Sequence, residues 1–288
     1  MKTLKYGLLL LSMACISCRQ DPGELPSPKY DLEVATEIIA EFIDDDIEKI
    51  VLSQLFNFTL TRGVAAGSQT HELNNPYEFR THCAVKTTTN NNTQLIIDFG
   101  AGCRDEMGRF RAGIVTANLF ERKKNVFGRV EITLENYQYE SVLVSGNRTI
   151  TNNRDTHRQY AEIQSTVNNG ILTFDDLSTY SYNSERNTTW DFTDITETEF
   201  YFVTEFQKTG LNRNNVSFES NSFTHITYNS NCFKTGIGQM TGGQFRISSE
   251  GVNKTIEFKP QHCSPQAFVS VGDAAPYTMD LSELFINH

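Results

Sequence analysis

The feature that most constrains this fold is a two-residue period that recurs from Gly63 to the C-terminus. In the segments 130–135, 200–206 and 245–248, apolar side chains occupy one set of alternate positions and mostly polar side chains the other. This alternation is typical of antiparallel strands with one buried and one solvated face. Turn-forming runs rich in asparagine and glycine separate the segments. We predict a mainly β fold of roughly ten to twelve strands, in which an antiparallel meander forms a curved sheet, a sandwich or a half-barrel.

One N-terminal amphipathic helix precedes these strands, from Asp31 to about Val51. Asp31 suits the N-cap, and Glu33 suits the positive end of the helix dipole. Acids and isoleucines recur at spacings of three and four on opposite faces; they are Glu37, Glu41, Asp44, Asp45 and Glu48, and Ile39, Ile43, Ile47 and Ile50. Three consecutive helical residues point about 100° apart, so Asp44, Asp45 and Asp46 do not converge on one calcium ion. The acidic face is therefore predicted to be solvated. No second helix is predicted, which excludes a doubly wound βαβ sheet.

The first seventeen residues have the pattern of an export signal. Lys2 and Lys5 precede a short apolar run over 7–14, which is far below the roughly 20 residues that span a bilayer. The run ends in Cys15-Ile16-Ser17-Cys18, which resembles a lipobox whose last cysteine is diacylated, with palmitate among the acyl chains, and becomes residue one. Cys15 competes for this role, but the tether begins directly after Cys18.

The chain then divides into a leader, a tether, a helical lead-in and a β domain. Residues 1–17 are the lipoprotein signal peptide, and 18–30, rich in proline and glycine, form a lipidated flexible tether. Residues 31–62 contain the helix and its lead-in, and 63–288 form one antiparallel β domain, in which segments 79–150 and 213–272 are weakly similar. Two acyl chains give stable anchoring where one does not. Arg19 after the cysteine fits the usual sorting of such lipoproteins to the cell outer membrane, on its periplasmic or surface face.

The net charge restricts the partners. Removal of residues 1–17 reduces the 25 lysines and arginines to 23 against 35 acids, so the formal charge changes from −10 to −12. An acidic surface repels nucleic-acid phosphates and anionic headgroups, and we expect no nucleic acid partner. The membrane is expected to be contacted through the N-terminal lipid, with envelope proteins or a glycan as further partners.

Four cysteines of the mature chain repeat one arrangement. Cys83 and Cys103, like Cys232 and Cys263, bracket a strand of the type Ile-acid-Phe and a turn. Four cysteines allow three disulfide connectivities. In the oxidising envelope we predict the two local pairs, Cys83 with Cys103 and Cys232 with Cys263, because each closes a short loop between neighbouring strands.

The segment Asp98-Phe99-Gly100-Ala101-Gly102-Cys103, followed by Asp105-Glu106-Met107-Gly108-Arg109-Phe110-Arg111-Ala112-Gly113, resembles a signature of uncharacterised cell-envelope lipoproteins of the Bacteroidota. The likeness covers roughly residues 80–270 and includes Trp190 and the late cysteine pair. The chain departs from that pattern at Lys259–Cys263, where a Gly-Asp-Gly-x-Cys form would be expected. The resemblance implies the compartment and a β architecture, and it implies no mechanism. Physically, the segment is typical of a strand end with glycines, a tight turn over 105–108 and a returning strand.

The sequence lacks the patterns of common catalytic and metal sites. His82-Cys83 and His262-Cys263 have no close-spaced ligand partners for zinc. Asp175 and Asp176 would face opposite ways on a strand. No nucleophile elbow or phosphate-binding glycine loop occurs. We predict no enzyme activity, catalytic residue, metal or cofactor.

Two functions outside catalysis remain. One is a non-catalytic interaction scaffold of the cell envelope. The other is a glycan- or apolar-ligand-binding β module that uses exposed aromatic residues such as Tyr137, Tyr139, Tyr180, Tyr182 or Trp190; packing of these rings in the core is the preferred alternative. An envelope hydrolase is a more distant third. A filled interior would favour the scaffold, and an exposed aromatic row on a concave face would favour the binding module.

Overall fold

A computed structural model of the chain describes residues 31–63, 78–90, 93–123, 126–153, 160–191, 201–229, 240–259 and 266–284. The one α-helix of these residues, α1, covers Leu32–Gly63. It begins where the sequence predicts, since the Asp31 Oδ1 atom accepts hydrogen bonds from the backbone N–H groups of Glu33 and Val34 at 3.1 Å. It ends twelve residues beyond the predicted end at Val51.

Fourteen strands follow in the described part of the chain, more than the ten to twelve predicted. They are β1 (Val85–Thr89), β2 (Gln94–Asp98), β3 (Cys103–Arg104), β4 (Phe110–Lys123), β5 (Val126–Tyr139), β6 (Val142–Asn152), β7 (Tyr160–Thr173), β8 (Thr179–Asp191), β9 (Tyr201–Leu211), β10 (Ser217–Asn229), β11 (Met240–Ser249), β12 (Val252–Phe258), β13 (Gln266–Val271) and β14 (Tyr277–Asp280). In the described residues, the 3₁₀ turns Glu78–Thr81 and Leu281–Glu283 flank the sheet.

All strands belong to one open, curved antiparallel sheet. Its order follows the chain from β1 to β14, except that the short β3 pairs with β4 beside β2. The prediction of a mainly β antiparallel meander with one N-terminal helix is therefore confirmed, and the curved sheet is the alternative that occurs. The predicted alternation is confirmed where it can be followed: Val130 and Ile132 on β5 are buried, whereas Thr133 and Glu135 are exposed.

The concave side of the sheet contains α1. Every residue from Val34 to Ser53 is buried, so this part of the helix is covered on all sides and not only along its isoleucine face. Its apolar side chains form one core cluster with inward side chains of the strands, such as Ile132, Phe245 and Val269. Within the described residues, no helix is long and apolar enough to cross a membrane.

The signature segment forms the loop between β2 and β4. Cys83 and Cys103 are joined by a disulfide with a Cα–Cα distance of 6.0 Å, as predicted. The turn over 105–108 is present, with the Gly108 N–H donating to the Asp105 carbonyl at 2.9 Å. Gly102 has a φ of +129°, and a Cβ atom there would lie 2.3 Å from the Phe110 ring, so only glycine fits.

Candidate functional site

The interface between α1 and the concave face of the sheet is built from charges as well as apolar side chains. Among the described residues, thirteen acidic, lysine and arginine side chains, each at most 6% exposed, meet there or beside it; they are Glu37, Glu41, Asp44, Asp45, Asp46, Glu48, Lys49, Arg80, Asp105, Arg111, Arg148, Arg186 and Lys208. We call this set the ionic core. It has seven acids and six bases, so one negative charge is in excess if all are ionised.

The prediction of a solvated acidic face on α1 is wrong. The carboxylates of that face are buried because the sheet wraps around the helix and presents arginine and lysine side chains at inward positions. On β6, for example, Arg148 continues the inward row of Val142, Val144 and Ile150. Buried charges require such partners, since the desolvation of a lone ion costs several kcal/mol.

Asp46 is the most heavily paired acid of the helix. Arg111 on β4 binds both of its oxygens, with Nε at 2.8 Å and Nη2 at 2.7 Å, and Arg80 donates to it at 2.7 Å. The third nitrogen of Arg111 donates to Asp105 at 2.7 Å. Burial by itself raises the pKa of Asp46, but the two guanidinium groups outweigh burial and hold that pKa below its usual value.

The signature segment therefore does more than shape a turn. It places Asp105 and Arg111 beside Asp46, and the other oxygen of Asp105 accepts hydrogen bonds from the N–H groups of Met107 and Arg109 at 2.9 Å. One carboxylate thus caps the loop with one oxygen and orients an arginine towards the helix with the other. The sequence alone indicated the turn and gave no sign of the partner on α1.

Two further arginines reach the middle of α1 from the centre of the sheet. Arg148 on β6 donates to Asp44 at 3.0 Å, and the Tyr182 hydroxyl on β8 donates to the same oxygen at 2.6 Å. Arg186, also on β8, donates to Glu41 at 3.1 Å. Together with Arg111 they bind α1 from three strands of the sheet, which fixes both the rotation and the height of the helix inside the sheet.

Lys208 on β9 interacts with several acids at once. Its ammonium group lies 2.8 Å from Glu41, 3.2 Å from Glu37 and 3.9 Å from Asp44. Burial lowers the pKa of Lys208, but these carboxylates outweigh burial and raise that pKa above its ordinary value. For Glu37 burial prevails over Lys208 and raises the pKa of the carboxyl. The Tyr180 hydroxyl donates to Glu37 as well.

Glu48 has the weakest ionic partnership in the core. Its carboxylate accepts a hydrogen bond from the Ser165 hydroxyl at 2.6 Å, and within the described residues no lysine or arginine nitrogen forms a salt bridge with it. Burial raises the pKa of Glu48, against the opposing effects of Arg186 and Ser165. A cavity of about 20 Å³ lies against it, which is room for one water molecule.

Glu48→Gln should therefore stabilise the protein at pH 8. A group whose pKa is raised on folding contributes stability that is lost as the pH rises through the folded pKa. The wild type should accordingly lose stability between pH 4.5 and 8 relative to Glu48→Gln, which keeps the shape and an oxygen for Ser165. Urea unfolding midpoints at both pH values measure the difference, which should vanish near pH 4.5. Glu131→Gln, an exposed change on β5, is the control; equal midpoints for Glu48→Gln and wild type at pH 8 would contradict the assignment.

The aromatic residues considered as a ligand face lie inside the molecule. Tyr137, Tyr139, Tyr180 and Tyr182 are at most 2% exposed and point at the ionic core. Burial raises the pKa of Tyr139 to about 12. Their packing in the core is the alternative that the sequence favoured. The side chain of Trp190 lies outside the described part of the structure.

Chemically, the ionic core is closed. Its carboxylates pair with the bases of the core and accept hydrogen bonds from neighbouring hydroxyls, and none is exposed enough to meet a substrate. No protein-family model, curated protein or solved structure matches this chain. The site must therefore be interpreted from its own geometry, which is that of a structural core.

The remaining residues singled out in the sequence are dispersed. Asp175 and Asp176 lie in the exposed turn after β7, where hydrogen bonds from Ser178 and the nearby Arg213 lower the pKa of Asp176 to about 2. Cys83 is held in its disulfide, so its sulfur is not a thiolate ligand. In the ranges that the structure describes, no group of three or more His, Cys, Asp or Glu residues is arranged for a metal ion. Cys18, Cys232, His262 and Cys263 lie outside those ranges, so lipidation and the second disulfide stay predictions.

Sequence reasoning missed the bases of the ionic core. A usable indication exists, because Arg148, Arg186 and Lys208 occupy the inward positions of their strands, where apolar or small residues precede and follow at spacings of two. A lone base at such a position requires a buried acid. Only the acidic face of α1 supplies enough of them.

Proposed function

We propose that this chain is a lipid-anchored protein of the cell outer membrane, attached through Cys18, that acts as a non-catalytic interaction scaffold. The occupied concave face carries the proposal. A curved sheet that binds a small ligand keeps its concave side open, whereas here α1 and the ionic core occupy it from Val34 to Ser53. The convex face and the rims are then the surfaces through which the protein acts.

A glycan- or apolar-ligand module is less well supported. The cavity beside Glu48 holds about 20 Å³, so this part of the described interior cannot hold a ligand that needs a pocket of about 300–1,000 Å³. The four tyrosines that would have stacked on a sugar are buried. An envelope hydrolase also lacks support, because the acids that come together are paired and covered.

Processing at Cys18 is the first test. Cys18→Ala should leave a larger, unlipidated precursor, whereas globomycin treatment of the wild type should leave a larger precursor that carries its diacylglyceryl group, because diacylation precedes cleavage at a lipobox. The measurement is gel mobility and intact mass of the envelope-extracted protein. Cys15→Ala is the matched control and should be processed normally; the opposite result would move the lipid to Cys15, and normal processing of both variants would exclude the anchor.

Scaffold and ligand module can then be distinguished on the lipidated protein. Affinity purification from chemically crosslinked envelope membranes should recover a protein partner in a fixed ratio to the wild-type chain. The same purification of Cys18→Ala should recover no such partner. Denaturing extraction followed by mass spectrometry should release no glycan or apolar small molecule. A stoichiometric small molecule would instead support the binding module.

A further inference from the structure

Three turns of the sheet and the first turn of α1 lie together at one end of the molecule. In an antiparallel meander, every second turn falls at the same edge of the sheet, and turns 174–178, 212–216 and 250–251 share this one. Asn212 donates to Glu33 at 2.8 Å, and Lys254 lies 2.8 Å from both Asp31 and Glu33. We call these three turns and the first turn of α1 the tether rim, because the chain that precedes Asp31 enters here.

The turns of the tether rim are fastened to each other. Arg213 pairs with Asp176 at 2.6 Å and donates to the Ser178 hydroxyl at 2.6 Å. Its guanidinium also lies 4.1 Å from the centre of the Phe174 ring. The turns after β7 and β9 therefore present one continuous surface.

Exposed apolar side chains gather at and beside this surface, mostly on the strand ends next to the turns. Of the nine exposed large apolar side chains in the described part of the chain, six lie on the tether rim or in the outward rows next to it; they are Leu32, Leu143, Ile171, Leu177, Leu211 and Val252. Ile171 and Leu211 share one outward row, with Ser181 between them on β8. Grouped exposed apolar residues mark contacts with proteins or membranes.

Leu177 is the most prominent member. It is 82% exposed at the tip of the turn between β7 and β8, and its φ is +65°. A left-handed conformation costs a branched residue of this kind about 1 kcal/mol or more, and Asn or Gly would fit the turn better. A leucine held outward at this energetic cost indicates that its side chain contacts a partner surface.

The occupant follows from where the chain continues. Residues 18–30 connect the rim at Asp31 to Cys18, and thirteen residue steps span at most about 45 Å even when fully extended. If Cys18 carries the lipid, as the proposed function holds, the tether rim is the part of the domain that the anchor holds nearest to the bilayer. The exposed carboxylates of Asp175 and Glu250 do not favour an anionic surface, so the fitting partner is a zwitterionic lipid surface.

We propose that the tether rim rests on the bilayer that holds the lipid of Cys18, with Leu177 inserted at the boundary between headgroups and acyl chains. Apolar side chains at such an interface lie about 5–10 Å deep. The contact orients the domain, so that the convex face and the opposite rim point away from the membrane. This inference rests on the proposed anchor and adds the orientation and the residues that make it.

Tryptophan fluorescence can test the contact, because the chain has one tryptophan. Trp190 lies near the far end of β8, about 35 Å along the strand from the rim. The full-length lipidated protein is reconstituted in phosphatidylcholine vesicles with or without bromine on the acyl chains, and floated fractions are collected. Leu177→Trp combined with Trp190→Phe should lose at least about half of its emission in brominated vesicles, if the ring lies at the depth of about 5–10 Å.

Two proteins serve as controls in the same vesicles. The wild type, with Trp190 alone, and Phe223→Trp combined with Trp190→Phe, an exposed site six residues along β10 from its rim end, should keep their emission. If Trp190→Phe does not fold, Leu177→Trp in the native background gives the same answer by difference.

The outcomes separate the two proposals. Flotation without quenching at position 177 overturns the membrane contact and leaves the anchor intact. Unquenched but blue-shifted emission at 177, with twice the monomer mass in detergent, assigns the rim to a second copy and also overturns it. Failure to float, with no acyl mass on Cys18, removes the anchor and this inference with it.

Discussion

Arg111→Met should destabilise the protein by about 3–5 kcal/mol, the loss typical of removing one partner of a buried charge pair. Methionine fills a similar volume without a charge. It would leave Asp46 with Arg80 and the Tyr137 hydroxyl among the described residues and Asp105 without its guanidinium, although both acids are at most 6% exposed. Urea unfolding followed by far-ultraviolet circular dichroism at pH 7 measures the loss.

Arg129→Met is the matched control, since it makes the same change on the neighbouring strand β5. Arg129 pairs with Glu131 at the surface, where both side chains are more than 40% exposed, so its loss should stay within about 1 kcal/mol. Adding Asp46→Asn to Arg111→Met should cost less than the sum of the single changes, with a coupling of about 0.5–3 kcal/mol. Similar losses for Arg111→Met and Arg129→Met would mean that water reaches the Asp46 carboxylate.

The stability of the wild type and that of Arg111→Met should also respond differently to acid. Because the pKa of Asp46 is lowered on folding, its ionised form contributes stability that is present above its ordinary pKa of 3.8 and is lost as the pH falls through the folded value. Without Arg111 much of that contribution is absent at every pH. The wild type should therefore lose stability more steeply than Arg111→Met as the pH falls below 3.8.

The sheet could be predicted from sequence because its pattern depends on burial alone. A strand such as β5 alternates Val130, Glu131 and Ile132 whatever its neighbours are, so fold class and chain order follow from local residues. The extra strands escaped the prediction because they are short or lack the pattern; in β1, for instance, three of the five residues are threonine and both faces are exposed. Such strands are defined by their hydrogen bonds to a neighbour and not by their own composition.

The environment of α1 could not be derived in the same way. Acids at spacings of three and four look alike whether they face water or buried arginines, because helix periodicity records which residues share a face and not what that face meets. The deciding partners are far along the chain: Arg111 lies 65 residues after Asp46, and Arg186 lies 145 residues after Glu41. Only the meander brings these distant bases to one helix.

Lys208→Met should produce the second large effect, again about 3–5 kcal/mol at pH 8. The ammonium group of Lys208 serves Glu37, Glu41 and Asp44, and no other lysine or arginine of the described residues forms a salt bridge with Glu37. Removing it leaves adjacent carboxylates of α1 to repel each other in a medium of low polarity. Thermal and urea unfolding at pH 8 should both show the loss.

Acidification should restore much of the stability of Lys208→Met, and this distinguishes charge from packing. Burial already raises the pKa of Glu37 in the presence of Lys208; without that cation the raised pKa can only increase further. When the pKa of a carboxyl is higher in the folded than in the unfolded state, the protein becomes more stable as the pH falls towards the unfolded pKa, here about 4.5. The difference between wild type and Lys208→Met should therefore narrow steadily from pH 8 to pH 5.

Lys86→Met, on the exposed strand β1, is the matched control and should change stability little and equally at both pH values. A loss in Lys208→Met that is the same at pH 8 and pH 5 would show that Lys208 acts through its contact with the Tyr182 ring, whose centre lies 4.9 Å from the ammonium group. Narrowing towards acid pH would instead establish that the helix is held inside the sheet by the balance of its charges, since protonation changes the charge of the acids and leaves their packing in place.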